Sequence, residues 1–295
     1  MKKLLVTGAS GFLGWNICNL AGKEWDVCGT VFSHPVEIAG ANILKVDLTD
    51  YGEMKKVFNE IRPDAVIHTA AAADPNYCQS NRAETRRTNV DASVNIAGLC
   101  SDAGTPFVFT STDLVFDGLN APYREDDPVS PINIYGEQKV TAEREILKRY
   151  PDAAVCRMAL MFGLSGPSSE SFIQPMLRAM REGRELRLFV DEIRTPISAA
   201  TAVWGLLIAL QKAKGLLHLG GSERISRYDF GRLMANVFGV PDAKLVQCRQ
   251  KDMTMAAPRA PDVSFDNSKA SALGFSPLPL RDELTAIIHR LSYRG

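Results

Sequence analysis

The chain has 295 residues, 45% of them apolar and 23% charged, with 34 basic side chains, 34 acidic ones and no formal net charge. That composition excludes a disordered tail, a collagen-like chain and a small disulfide scaffold. The charge balance gives no global pull toward nucleic acid or an anionic membrane, and no run approaches the roughly 18 unbroken apolar residues of a membrane span.

Lys3 to Val6 is a short apolar run that ends in a glycine-rich turn. It is too short for a signal peptide and reads as a buried first strand, which sets the expectation of a cytoplasmic protein. Phe12 to Ala21 has helical spacing, and Val27 to Phe32 and Ile43 to Val46 read as strands. Tyr51 to Ile61 is an amphipathic helix with Met54, Val57, Phe58 and Ile61 on one side. Ala65 to His68 is a strand that runs into Thr69 and four alanines. A long helix over Glu84 to Ala103, a strand over Phe107 to Thr110, a helix over Ile134 to Arg149 and a strand over Ala153 to Met158 follow. Strands alternating with crossover helices predict a doubly wound parallel sheet, a Rossmann-like α/β fold, over residues 1–160.

Residues 161–295 are less regular and predict a smaller α/β substrate lobe, with segments near 187–219 returning to the sheet. Helices are predicted near 172–182, 199–212, 227–238 and 280–292, and a strand over Leu216 to Leu219. Cys248 to Asp266 has little periodicity, and a loop that long is usually functional or disordered. The six cysteines form no C-x-x-C pair, and the four histidines (His34, His68, His218, His289) are scattered. Buried free thiols and no metal site are expected.

Four motifs carry chemistry. Gly8-Ala9-Ser10-Gly11-Phe12-Leu13-Gly14 lies between the first strand and the first helix. There glycines allow close backbone approach, and a helix N-terminus offers N–H groups to a pyrophosphate. The second strand ends in Phe32-Ser33-His34 with no carboxylate. An acidic residue there would favour NAD through the ribose hydroxyls, so the segment points to NADP ahead of NAD. Asp47 and Leu48, closing the third strand, are placed to meet an adenine. Tyr135 and Lys139 share a helix face at i,i+4, where a nearby ammonium would lower the phenol's pKa. Thr110 to Asp113 end a strand at the carboxyl edge where doubly wound sheets bind ligands, and the Thr112 hydroxyl is placed to orient a substrate carbonyl.

This set, in order and on these elements, resembles the extended short-chain dehydrogenase/reductases over essentially the whole chain. Ser111 to Gly118, Asn133 to Lys139, Arg194-Thr195-Pro196, Gly215 to Leu219 and Arg259-Ala260-Pro261 resemble in particular the dTDP-4-dehydrorhamnose reductase family and the related regulatory subunit of methionine adenosyltransferase. The resemblance implies Thr112, Tyr135 and Lys139 as catalytic triad, with Asp113 as an accessory group near the substrate. It implies Gly8, Gly11, Gly14 and Ala70, Ala71 and Ala72 as cofactor lining, with Asn89 in support. Ser10, Phe12, Leu13, Ser33, His34, Asp47, Leu48 and Thr110 complete the candidate cofactor set. Arg194 and Arg259, ahead of Arg224, are candidates for a substrate diphosphate, since guanidinium forks suit phosphate oxygens. The implied activity is NADPH-dependent reduction of a 4-keto nucleotide sugar. Epimerase or dehydratase chemistry and a non-catalytic NADP-binding subunit stand as alternatives. Helices 84–103 and 134–149 are candidates for a homodimer interface. The pattern departs from the family at Leu114, where an aromatic is usual, and at Asn16, where some members carry a glutamate implicated in a metal-bridged dimer.

Overall fold

The computed structural model describes residues 1–292, with side chains described as far as 288. In the first half the elements are β1 (Lys2–Thr7), α1 (Phe12–Ala21), β2 (Trp25–Val31), β3 (Ala41–Lys45), α2 (Tyr51–Ile61), β4 (Ala65–His68), α3 (Pro75–Ser80) and α4 (Arg82–Arg86). A π-helical turn over Arg87–Ala92 leads into α5 (Ser93–Ala103), then come β5 (Phe107–Thr112), a 3₁₀ turn over Asp113–Val115, α6 (Ile134–Arg149) and β6 (Ala154–Met158). The second half holds β7 (Met161–Phe162), α7 (Ile173–Arg181), β8 (Leu186–Phe189), β9 (Ile193–Arg194), β10 (Ile197–Ser198) and α8 (Ala199–Lys212). It continues through β11 (Gly215–Leu219), β12 (Ile225–Ser226), α9 (Arg227–Val237), β13 (Leu245–Cys248), α10 (Ser268–Ala272) and α11 (Leu280–Ser292).

Seven parallel strands form the main sheet in the order β11-β6-β5-β4-β1-β2-β3. The order reverses between β1 and β4, which opens a crevice at their carboxyl ends. Successive residues of a strand point to opposite faces, and both faces are buried. Leu4, Val6, Ile67 and Val108 pack with Leu13, Ile17, Ala202 and Leu206. Leu5, Val66, Phe107 and Phe109 pack with Met54, Phe58, Ile96 and Ile146 on the other side. That double covering explains why these strands read as continuous apolar runs.

The second half builds its own core from Phe162, Ile173, Leu177, Phe230, Met234 and Leu284. The return to the main sheet is narrower than 187–219. β11 joins the sheet and α8 packs on it, whereas β8, β9 and β10 pair with β13, β12 and β7. The single helix expected over 84–103 is three segments, widened at Asn89 by the π-helical turn. Periodicity registers such a one-residue expansion poorly, and it is a frequent mark of a functional site. The helix α3 was not expected, although Asp74 caps it and Pro75 occupies its first turn. All six cysteines are buried and free.

Candidate active site

The first turn after β1 is shaped by contact rather than by side chains. Gly8 has a φ of 74°, and a Cβ there would lie 2.8 Å from the Ala70 backbone. Gly14 packs directly beneath it, where a Cβ would overlap the Gly8 carbonyl. Helix α1 then begins at Gly11 with no side-chain cap, so its N–H groups are left for an anion to satisfy.

A cavity of about 720 Å³ opens at this turn. It gathers Gly8, Ser10, Gly11, Ser33, His34, Asp47, Leu48, Ala70, Ala71 and Ala72 from the candidate set. Ser33 Oγ and His34 Nδ1 lie 2.9 Å apart at its rim. The Asp47 carboxylate is engaged within its own turn, accepting from the Thr49 amide and hydroxyl at 2.8 and 2.7 Å. Phe12 faces Gly163 of the second half, and Leu13 is buried in the core, so neither lines the cavity. Thr110 donates to the His68 carbonyl at 3.0 Å and supports the sheet end. Asn89 supports the cavity floor: it accepts from the Ala72 amide at 2.8 Å and donates to the Ala72 carbonyl at 3.1 Å. It also donates to Gln138 Oε1 at 2.8 Å, tying the floor to α6. Arg87 lines the cavity as well.

The second part of the site lies at the inner end of the alanine run, where Ala72 packs with Cys78, Ile134 and Tyr135. Gly136 lets α6 approach the 3₁₀ turn, since a Cβ there would overlap the Leu114 carbonyl. Asn133 caps α6 by accepting from the Gly136 amide at 2.9 Å. Tyr135 is thereby buried near Thr112, whose hydroxyl donates to Asp113 Oδ1 at 3.1 Å and accepts from the Leu114 amide at 3.2 Å. Lys139 is buried one turn on, its Nζ 4.0 Å from the centre of the Phe109 ring.

The electrostatics correct one expectation. Burial pushes the Tyr135 phenol above its ordinary pKa, Cys78 and Asp113 add to the rise, and Thr112 works against it. The lowering expected from Lys139 is not what the chain imposes. Burial drives the lysine itself down to about 7, with Glu143 and Cys78 opposing. Asp113 is buried beside this pair and raised to about 6 by desolvation, with Arg194 opposing.

The three candidate arginines separate. Arg224 pairs with Asp262 at the surface. Arg194 is 4% exposed and bonds inside the protein. Arg259 is half-buried, near enough to Arg227 to oppose its charge. Arg227 was not singled out in the sequence. Its Cζ lies 4.1 Å from the centre of the Phe172 ring, and its Nη1 is buried with no hydrogen-bond partner. Cys78 was missed too. Its thiol donates to the Ala72 carbonyl at 3.1 Å beside Tyr135, and only the capped start of α3 could have hinted at it. Asn16 is buried and donates to the Phe12 and Leu164 carbonyls, each at 2.9 Å. Among the described residues no cluster of three or more His, Cys, Asp or Glu could hold a metal ion.

A doubly wound sheet, a glycine turn at its switch point and a Thr–Tyr–Lys set on β5 and α6 define an extended short-chain dehydrogenase/reductase. More narrowly, the chain belongs to the family described as RmlD substrate binding domain, whose model matches residues 1–293. It is 28% identical over 285 residues to methionine adenosyltransferase 2 subunit beta of Danio rerio, covering 93% of this chain and 86% of that protein. It is 29% identical to a probable low-salt glycan biosynthesis reductase of Haloferax volcanii, covering 96% of each. Among solved structures, dTDP-4-dehydrorhamnose reductase of Bacillus anthracis in complex with NADP superposes with a TM-score of 0.87 at 23% identity, over 98% of this chain and all of that one. A hypothetical dTDP-4-dehydrorhamnose reductase of Sulfolobus tokodaii superposes at 0.83 with 29% identity, over 96% and 99% of the two chains.

Proposed function

We propose that the protein is an NADPH-dependent reductase of a 4-keto nucleotide sugar, similar to the dTDP-4-dehydrorhamnose reductases. The observation that carries this reading is Tyr135, buried next to Ala72 of the glycine-turn cavity with its phenol held protonated, on the helix that also carries Lys139. The phenol carries a proton to give at neutral pH; burial works against its release, so it is drawn off only by the more basic alkoxide that develops as the ketone is reduced.

The cavity fits a dinucleotide. Its glycine turn leaves room for a pyrophosphate, its helix N-terminus is uncapped, and Phe32, Ser33 and His34 line it where a carboxylate would repel a 2′-phosphate. The reduced nicotinamide, when bound, supplies the hydride. Tyr135 donates its proton to the ketone oxygen as negative charge develops there, and the Thr112 hydroxyl turns from Asp113, to which it donates in the free protein, to donate to the same oxygen. Lys139, brought down to about 7, exchanges protons readily at neutral pH and replenishes the site. Arg259, half-buried beside Arg227, is the candidate for the substrate diphosphate.

Tyr135→Phe tests the assignment. It is expected to cut NADPH-dependent turnover by at least ~100-fold while NADP still raises the melting temperature as it does for the wild type. Unchanged turnover would remove Tyr135 from the role. A second reading, a subunit that binds the dinucleotide and serves a partner enzyme, is favoured by the likeness to methionine adenosyltransferase 2 subunit beta. It predicts a stoichiometric partner and no reduction of any keto nucleotide sugar.

A further inference from the structure

Arg194 is the sequence's candidate for a substrate diphosphate, yet its side chain is committed within the protein. Nη1 donates to the Ile193 carbonyl at 2.7 Å and to the Ala260 carbonyl at 3.1 Å. Nη2 lies 3.7 Å from Glu192. Nε lies 3.8 Å from Asp113 Oδ2. The other carboxylate oxygen, Oδ1, accepts from the Thr112 hydroxyl at 3.1 Å. Oδ2 is buried with no hydrogen-bond partner at all. A carboxylate oxygen left bare in a buried place is costly, so this arrangement holds an acceptor ready beside the reacting pair.

We propose that Arg194 is a positioning residue that acts through Asp113. It fixes the carboxylate beside Thr112, with one oxygen presented to a hydroxyl of the substrate sugar next to the ketone, and it takes no part in gripping a diphosphate. This rests on the reductase reading. Anion recognition then falls to Arg259 and Arg227, the latter with a buried donor still unmatched.

Among the described residues, four groups face Asp113. Arg194 approaches from β9, Glu192 from the residue pair before it, Tyr135 from α6 and Thr112 from β5. Arg194 is the one cation among them, so it alone opposes desolvation by charge. With the guanidinium gone, Asp113 takes up its proton at higher pH and no longer accepts a hydroxyl in the neutral range.

The test uses Arg194→Gln, which keeps donors for the two backbone carbonyls but carries no charge, and Arg194→Lys, which restores it. The Asp113 carboxyl is titrated by carbon NMR without substrate, and kcat/KM for the nucleotide sugar is followed against pH. In Arg194→Gln the Asp113 midpoint is expected to rise by about 1–3 pH units, the acid limb of kcat/KM to rise with it, and KM above the new midpoint to stay near the wild-type value. Arg194→Lys is expected to bring both back. If Arg194→Gln fails to fold, Asp113→Asn carries the question: the acid limb should vanish, and a limb that persists overturns the proposal. An unmoved midpoint in Arg194→Gln, or a KM raised tenfold at every pH with the limb in place, also overturns it. Failure of the reductase reading is recognised separately, as absence of turnover in the wild type, while the NMR titration still decides what Arg194 does to Asp113.

Discussion

Two buried ion pairs lie close to α6, and they are built to opposite ends. Glu143 and Arg157 are matched: Nη2 meets Oε2 at 2.8 Å, Nε meets Oε1 at 3.1 Å, and Ser111 also donates to the carboxylate. Arg157 extends the network to His218 and the Glu125 carbonyl. Asp113 and Arg194 are mismatched, 3.8 Å apart with one oxygen unpartnered. A pair that only joins β6 to α6 has its hydrogen bonds completed by the protein. The pair beside Thr112 has one carboxylate oxygen that the protein leaves without a hydrogen bond, the acceptor offered to the substrate under the proposal above.

The contrast can be broken by mutation. Arg157→Met strands Glu143 in the interior and is expected to cost about 3–5 kcal/mol of stability, read by chemical denaturation. A loss under 1 kcal/mol would mean the pair is not what holds β6 on α6. Asp113→Asn is expected to go the other way. Its carboxyl is held above the ordinary value, so the folded chain binds that proton more tightly than the unfolded chain, and ionisation costs stability as pH rises from about 4 to about 6. Above pH 7 the neutral amide is expected to be more stable by about 1–3 kcal/mol, in the same variant that loses the acid limb of kcat/KM. Equal stability of the two proteins from pH 4 to pH 8 would refute this. The smallest effect is expected at Arg87, an exposed guanidinium on the cavity wall. Arg87→Ala should weaken the dinucleotide by roughly three- to tenfold, measured by titration calorimetry.

The dinucleotide half of the site was legible because its signals are local. Glycines, a strand before and a helix after are read from one stretch of chain, and the cavity gathered ten of the residues so nominated. Tyr135 and Lys139 were legible through their spacing, and Thr112 through its place at a strand end. What surrounds them was not. The rise of the Tyr135 phenol comes from burial beside Cys78, 57 positions away in sequence but packed on the same alanine. Residue type, family likeness and loop placement point Arg194 at a phosphate, but they carry no sign of Asp113, which the tertiary fold brings to it from the 3₁₀ turn after β5. The strands β7, β9, β10 and β12 have two residues each, too few for any periodicity to show. The loop before Asp266, flagged for its length, is tied to the site by the Pro258 carbonyl on Asn133, the Ala257 amide on Asn76 and the Ala260 carbonyl on Arg194.

The central claim is net reduction at Tyr135. A single-turnover reaction of the wild-type protein with NADPH and a dTDP-4-keto-6-deoxy sugar tests it most directly. One NADPH is expected to be oxidised for each ketone converted to a hydroxyl. Conversion of the sugar to an epimer or a dehydrated product with the NADPH content unchanged would contradict it.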